Sequence, residues 1–368
     1  MSIIVRSMDE GTEWSPNSQV RNRIASLGED VLNSEPYRPI TDMSFSRSCE
    51  SFALSAPIQR PSTSALTVPG LILDLEALKL IHHFTVETYV TLSRSQPDHM
   101  YIWQTEIPTK AYSNPFLMHS ILAISALHLV SKGELSEEIA LKYYHAALQS
   151  FQHSSKTGLL QDAAATLVFC VIIFIITLGL GSRSARNPGI DPVECFFEPF
   201  TLLRRSIPYL KSIHVGECKE PIGKLISPIE PEPLPLPEDV AEALRILEEH
   251  NDNLVESELD RETYKLAIEE LRELFMMMPD MNPPDWTRPA RWLILMSDAF
   301  DNLLHQRQPL ALVMLAYWCI PVHNTLHSWF MGDWARRIVF GVALRLDSAW
   351  DETMRWPLRM VNTSLDRH

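Results

Sequence analysis

"AAATLVFCVIIFIITLGLG", Ala163–Gly181, is the most apolar stretch of the chain, and its reading decides the fold. A spanning helix needs about 20 mainly apolar residues, and this run nearly has that length. Its flanks argue for another role. Gln161-Asp162 precedes it, Thr166 and Thr177 interrupt it, and Gly179 and Gly181 are expected to end it inside "GLGSRSARNPG". A helix that is apolar all round also serves as the central helix of a large soluble core. That is the assignment adopted here, provided that its neighbours are amphipathic.

They are. "LILDLEALKLIHHFTVETYVTL" places Leu71, Leu75, Leu78, Phe84, Tyr89 and Leu92 at roughly helical spacing. "NPFLMHSILAISALHLVSK" follows Asn114-Pro115, with proline in the first turn. "SEEIALKYYHAALQSFQ" begins at a Ser136 cap and aligns Ile139, Tyr143, Ala147 and Phe151 on one stripe. "CFFEPFTLLRRSIPYLKS" follows the apolar run. "SPIEPEPLPLPED", residues 227–239, reads as a proline-rich surface insertion. Two acidic helices come next, and "DMNPPDWTRP" breaks the chain before three long apolar helices. These are "ARWLILMSDAFDNLLHQ", "LALVMLAYWCIPVHNTLHSW" and "GDWARRIVFGVALRLDSAW". No strand–helix alternation occurs. The expected fold is all-α, a multi-helix bundle of repeat-like hairpins around a buried central helix.

Composition bounds the function. The chain has 368 residues, 46% of them hydrophobic, with 12 Gly and 26 Pro, as suits long helices separated by proline-punctuated loops. Its formal charge is -14, unfavourable for gripping phosphates along nucleic acid. Residues 238–273 hold 13 acidic against 4 basic residues and so carry -9 of that total, an acidic solvated surface. Residues 1–68 lack a sustained apolar period and are read as a disordered leader, with one helical domain over 69–368. The start, "MSIIVRSMDEGTEW", has acidic residues where a secretory signal needs an apolar core. Five scattered cysteines, Cys49, Cys170, Cys195, Cys218 and Cys319, form no CxxC pair and are read as reduced thiols. A cytoplasmic or nuclear protein is expected, not one integral to a membrane.

The catalytic inventory is thin. "GLGSRSARNPG" looks like a glycine-rich phosphate loop, but it follows a helix where such a cradle follows a strand. His323 and His327 in "HNTLH" are spaced i, i+4, yet a zinc peptidase needs Glu where Asn324 stands. No metal or cofactor is expected. Aromatic residues concentrate in the last third, from Trp286 to Trp356. Their imperfect mutual packing points to an apolar cavity between the apolar run and the three C-terminal helices. Phe169, Phe174, Met296, Phe300, Tyr317 and Trp334 are its expected lining, Met296 and Phe300 sharing one side of a single helix at i, i+4. His119, Tyr317 and His323 are the candidates for polar orientation or proton transfer. The competing reading is that all of them fill a solid core.

Several segments together resemble a known family. "LKLIHHFTVETYVTLS", "IWQTEIPTKAYSNPFLMHSILAISALHLVSK" and "ALKYYHAALQSFQ", then "RQPLALVMLAYWCIPVH", "WFMGDWARRI" and Trp350 to Pro357, look like the regulatory domain of fungal zinc-cluster transcription regulators of the sterol-uptake-control type. The likeness covers roughly Leu71 to Pro357. It implies an all-helical, repeat-like bundle with a hydrophobic ligand pocket in the C-terminal half, sensing a sterol or related lipid. It also implies that Gly332, in "MGDW", lies beside that pocket. One feature departs from the pattern. Full regulators carry a six-cysteine zinc cluster, whereas this sequence has only Cys49 before residue 170. The expectation is a regulator-like protein that binds a sterol or terpenoid, acts through protein partners and makes no direct contact with nucleic acid. The alternative is a biosynthetic enzyme of fungal secondary metabolism, a cyclase or isomerase whose apolar pocket guides a terpenoid or polyketide intermediate. Such an enzyme needs orientation and exclusion of water more than a recognisable motif.

Overall fold

The computed structural model describes residues 67–68, 71–72, 74–92, 97–156, 162–212, 222, 234–277, 287–324 and 328–363. The leader up to residue 66, Cys49, Cys218, residues 227–233 of the proline-rich insertion, Trp286 and His327 lie outside the described residues. The chain divides into two compact units, residues 15–78 and the rest. In the first, Thr67–Val68 pairs antiparallel with Leu71–Ile72, a two-residue ladder that the helical reading did not anticipate. Asp74 then caps the next helix through the amides of Glu76 and Ala77.

The architecture is all-α. Helix α1 is Leu75–His83, continued by a π-helical turn, Phe84–Thr88, into α2, Tyr89–Leu92. Helix α3, Pro97–Tyr101, runs through a second π turn, Ile102–Glu106, into α4, Ile107–Ala111. Then come α5, Pro115–Ser131, and α6, Glu137–Lys156, packed as an antiparallel hairpin. Helix α7 is Ala163–Ser184, and it packs on α5 and on α8, Glu194–Ser212. The acidic hairpin is α9, Glu238–Leu254, and α10, Glu258–Met276. Its apolar faces turn inward, while Glu242, Glu249, Glu262 and Glu269 are exposed.

The C-terminal segment departs from the three-helix expectation. "ARWLILMSDAFDNLLHQ" forms two helices, α11, Thr287–Leu295, and α12, Asp298–His305. Ser297 breaks the run because its hydroxyl caps α12, accepting from the Phe300 amide at 3.1 Å. Met296 and Phe300 therefore lie on either side of a helix break, not on one helical face. Helix α13 is Pro309–Asn324, α14 is Trp334–Arg345, and α15, Asp351–Thr363, follows a short 3-10 turn. Both α14 and α15 pack against α13.

Helix α7 is the one described helix long and apolar enough to cross a membrane, and most of it is buried by its neighbours. The Thr166 and Thr177 hydroxyls donate to the carbonyls of Asp162 and Ile173, so they need no solvent. Contrary to expectation, the helix does not stop at Gly179 or Gly181. A Cβ at Gly179 would come within 2.9 Å of Leu127 Cδ2, and one at Gly181 within 3.1 Å of the Cys195 carbonyl and 3.2 Å of the Trp334 ring. The glycines are where neighbours approach the helix axis, and this contact outweighs their cost of roughly 1 kcal/mol each relative to Ala.

Asp162 starts α7. Its Oδ1 accepts from the Ala165 amide at 2.9 Å, and its Oδ2 accepts from Lys110 at 2.8 Å. Burial alone would raise the carboxyl pKa, but the Lys110 ammonium and the amide hold it below the ordinary 3.8. Asp162→Ala should lower stability near neutral pH by about 1 kcal/mol, the usual worth of an N-cap. Because the folded-state pKa is depressed, this contribution is present above the unfolded value and lost as pH falls through the folded value. Denaturant unfolding of the two proteins should therefore converge below pH 3. A gap unchanged down to pH 2 contradicts the assignment.

Candidate functional site

Ser328–Asp333, between α13 and α14, forms a tight turn at the C-terminal end of α7. The amides of Met331 and Gly332 donate to the Ser328 carbonyl at 2.9 and 3.3 Å. Gly332 has φ +51°, the left-handed region that favours glycine. The Ser182 hydroxyl donates to the Met331 carbonyl at 2.8 Å and ties the turn to α7. Phe330 and Met331 point inward and are buried.

Phe330 separates two cavities. The inner one is bounded by Phe174 and Leu178 of α7, Trp318 and Val322 of α13, and Phe330 and Met331 of the turn. It is apolar and holds only about 20 Å³, room for a single water, whereas small-molecule pockets usually span roughly 300–1,000 Å³. The outer cavity is about 260 Å³ and mixed in character. Ser182 and Arg183 line it from α7, Arg186 from the turn just after that helix, Ser131 from α5, and Ser328 and Trp329 from the turn before α14, with Gly332 at its edge.

Of the residues expected to line a pocket, Phe174 borders the inner cavity and Gly332 the outer one. The others border neither. Phe169 stacks on Phe151 at 4.4 Å and meets Phe116 edge-on at 5.3 Å. Met296 is buried, and its carbonyl accepts from Arg204. Phe300 is fully buried, edge-on to Trp292 and Tyr264. Trp334 packs near Phe196 of α8 and donates to the Pro192 carbonyl at 3.0 Å. Trp318 and Trp292 likewise place their N–H groups on carbonyls, Pro289 and Ala267.

The three polar candidates have separate surroundings. His119 lies 3.1 Å from the Ser150 hydroxyl in the α5–α6 hairpin, its pKa lowered by burial. The Tyr317 hydroxyl approaches the carbonyls of Ala243 and Thr353 at 3.2 and 3.1 Å, and burial pushes its pKa well up. That phenol joins α9, α13 and α15. His323 is buried with neither ring nitrogen hydrogen-bonded, its pKa lowered by burial and then by Arg336. The thiols of Cys170 and Cys195 are raised by burial to about 12 and about 11, so neither is an activated nucleophile.

A histidine cluster that the sequence reading passed over adjoins the outer cavity. His128 Nδ1 lies 3.2 Å from His83 Nε2 and 3.1 Å from the Thr88 hydroxyl. Its ring stacks on Trp329 at 5.0 Å. Burial, then the neighbouring His83 and Lys132, lower its pKa to about 4, against the opposing pull of Glu87. The periodicity of α5 hides it, because His128 occupies an apolar face. Ser131, Arg183, Arg186 and Ser328 were also passed over, since only the turn brings them together.

The fold and site thus define a helical bundle with cavities at one turn. Among the described residues there is no group of three or more His, Cys, Asp or Glu placed to hold a metal. Comparison with known proteins finds partial similarities. Residues 79–183 match the fungal specific transcription factor domain. The chain is similar to sterol uptake control protein 2 of Candida albicans, 36% identical over 98 residues, 26% of this chain and 13% of that protein. It is also similar to sterol uptake control protein 2 of Saccharomyces cerevisiae, 27% identical over 157 residues, 35% of this chain and 17% of that one. A Zn(2)-C6 fungal-type transcription factor of Gibberella zeae is 23% identical over 314 residues, 77% of this chain and 61% of that protein. The chain spans less than two thirds of the length of each of these relatives.

Two outcomes test the filled-core placements. Phe300→Ala should cost about 3–5 kcal/mol in denaturant unfolding, and Tyr317→Phe about 1 kcal/mol or somewhat more for the lost hydrogen bonding. A cost under 1 kcal/mol for Phe300→Ala would mean the site is open. For His128, the folded pKa lies below the unfolded 6.5. Stability should therefore fall as pH drops from 6.5 toward 4, and that fall should be smaller in His128→Asn when melting is followed against pH.

Proposed function

We propose that this chain is a ligand-responsive regulatory domain of the fungal transcription-regulator type, binding a hydrophobic small molecule of the sterol or terpenoid class and acting through protein partners in the cytoplasm or nucleus. The observation that carries the reading is the match of residues 79–183 together with the similarity to sterol uptake control proteins. The apolar space between α7 and α13 supports it, since two helices apolar on nearly every side both contribute to its lining. No observation favours the biosynthetic reading, because His119, Tyr317 and His323 keep separate neighbours.

Size sets a condition. A sterol needs far more than about 20 Å³, so the proposed ligand enters only as Phe330 and Met331 swing out with the turn. Phe330 is the wall to remove, because it borders both cavities. A fluorescent sterol titrated into the purified chain should bind saturably and one to one. Val322→Phe, which fills the inner cavity, should weaken that binding by about tenfold or more, equivalent to 1.4 kcal/mol. Failure of sterols and terpenoids alike to bind saturably would overturn the reading.

A further inference from the structure

The outer cavity has a chemistry of its own. Its polar wall carries two guanidinium groups and no carboxylate: Arg183 in the last turn of α7 and Arg186 just past the end of that helix. Arg183 uses Nε to hold Glu137 at 2.7 Å. Arg186 Nε lies 3.6 Å from Asp333, beyond hydrogen-bond distance, and Asp333 is already held by Arg337 at 2.7 Å. Three guanidinium groups therefore meet two carboxylates, and positive charge is left over. No described residue accepts a hydrogen bond from Arg186, and the Ser328 hydroxyl is likewise without a described partner. The Ser131 and Ser182 hydroxyls are spent on carbonyls at 2.6 and 2.8 Å. The opposite wall is apolar, formed by Leu127, Trp329 and Phe330, which lowers the local dielectric and strengthens a charge–charge interaction.

We propose that this cavity is an oxyanion site, in which Arg183 and Arg186 hold a carboxylate or phosphate group and Ser328 donates a third hydrogen bond. Guanidinium N–H groups match the paired oxygens of either anion. The volume of about 260 Å³ accepts such a group with several further atoms. The site is built from side chains, so it differs from the backbone phosphate cradle that "GLGSRSARNPG" superficially suggests and that its position after a helix argues against. The wall shared at Phe330 leaves two sources for the anion. One is a free small anion, and the other is the head of an amphipath whose tail lies along Trp329 and Phe330. The inference does not rest on sterol binding at the inner cavity.

The test is isothermal titration of the full chain at low ionic strength with inorganic phosphate, acetate, octanoate and, as the neutral control, octanol. Saturable binding of an anion, weakened about tenfold or more in Arg186→Gln and less in Arg186→Lys, supports the site. Arg183→Gln should act in the same direction, and melting temperature without anion confirms that each variant is folded. Octanoate tighter than acetate and octanol identifies an amphipath head, and phosphate or acetate binding as well as octanoate identifies a free anion. No saturable binding of any anion overturns the proposal. So does binding that persists unweakened in the folded Arg183→Gln/Arg186→Gln double variant.

Discussion

The structure depends on one constraint: α7 has no polar face to give to water. Its mean character is apolar on every side, so stability requires that neighbours close around it, and the order of the chain supplies them. The α5–α6 hairpin arrives first, α8 covers it next, and the turn before α14 caps its C-terminal end. Burying one Leu, Ile or Phe side chain is worth roughly 1.5–3 kcal/mol, and α7 buries Ile172, Ile173, Phe174, Ile175 and Ile176 in succession. Gly179 and Gly181 then let Leu127 and Trp334 reach the helix itself.

Polar groups accumulate at the ends of α7 for the same reason, and they follow the helix dipole. Asp162 stands at the N-terminus, where orphan amides favour an anion, and Arg183 and Arg186 stand at or just past the C-terminus, where carbonyls favour a cation. The arginines thus have a structural reason to be where they are. Their pairing with Glu137 and Asp333 is only partial, however, and dipole compensation does not require that they face a cavity.

Much of the fold was legible because it rests on periodicity and on caps. The core assignment of Ala163–Gly181, the hairpin on either side of residue 133 and the acidic pair α9–α10 all follow from apolar spacing. What periodicity misses is local competition. Ser297 offers the backbone a cap in the middle of an apolar run and splits α11 from α12. Glycine marks close approach at 179 and 181 as readily as it marks a helix end, and sequence alone does not separate the two. The site was less legible still. Tyr317, Trp334 and Phe300 have the composition of a pocket lining, but the Tyr317 hydroxyl and the Trp334 N–H are placed on carbonyls, Phe300 packs edge-on to Trp292, and none of the three borders either cavity described above. The residues around the outer cavity come from α5, α7 and the turn, separated by about fifty to two hundred positions, and no spacing rule links them.

The inner and outer cavities differ in what a ligand must supply. The outer one already has room, so an anion there needs only to outbid water for two guanidinium groups. The inner one is too small and is lined on one side by the buried Phe330 and Met331, and re-exposing those side chains costs on the order of 3–6 kcal/mol by area, besides the Ser182 hydrogen bond to the Met331 carbonyl. A hydrophobic ligand can open the turn only by as much as its affinity for the open form exceeds that for the closed form. On the proposed reading, a sterol-sized apolar surface would offer more buried area toward that requirement than a short chain. On the proposed reading, the turn would favour large apolar ligands over small ones before any specific contact is made, because the cost of displacing Phe330 and Met331 would be the same for both.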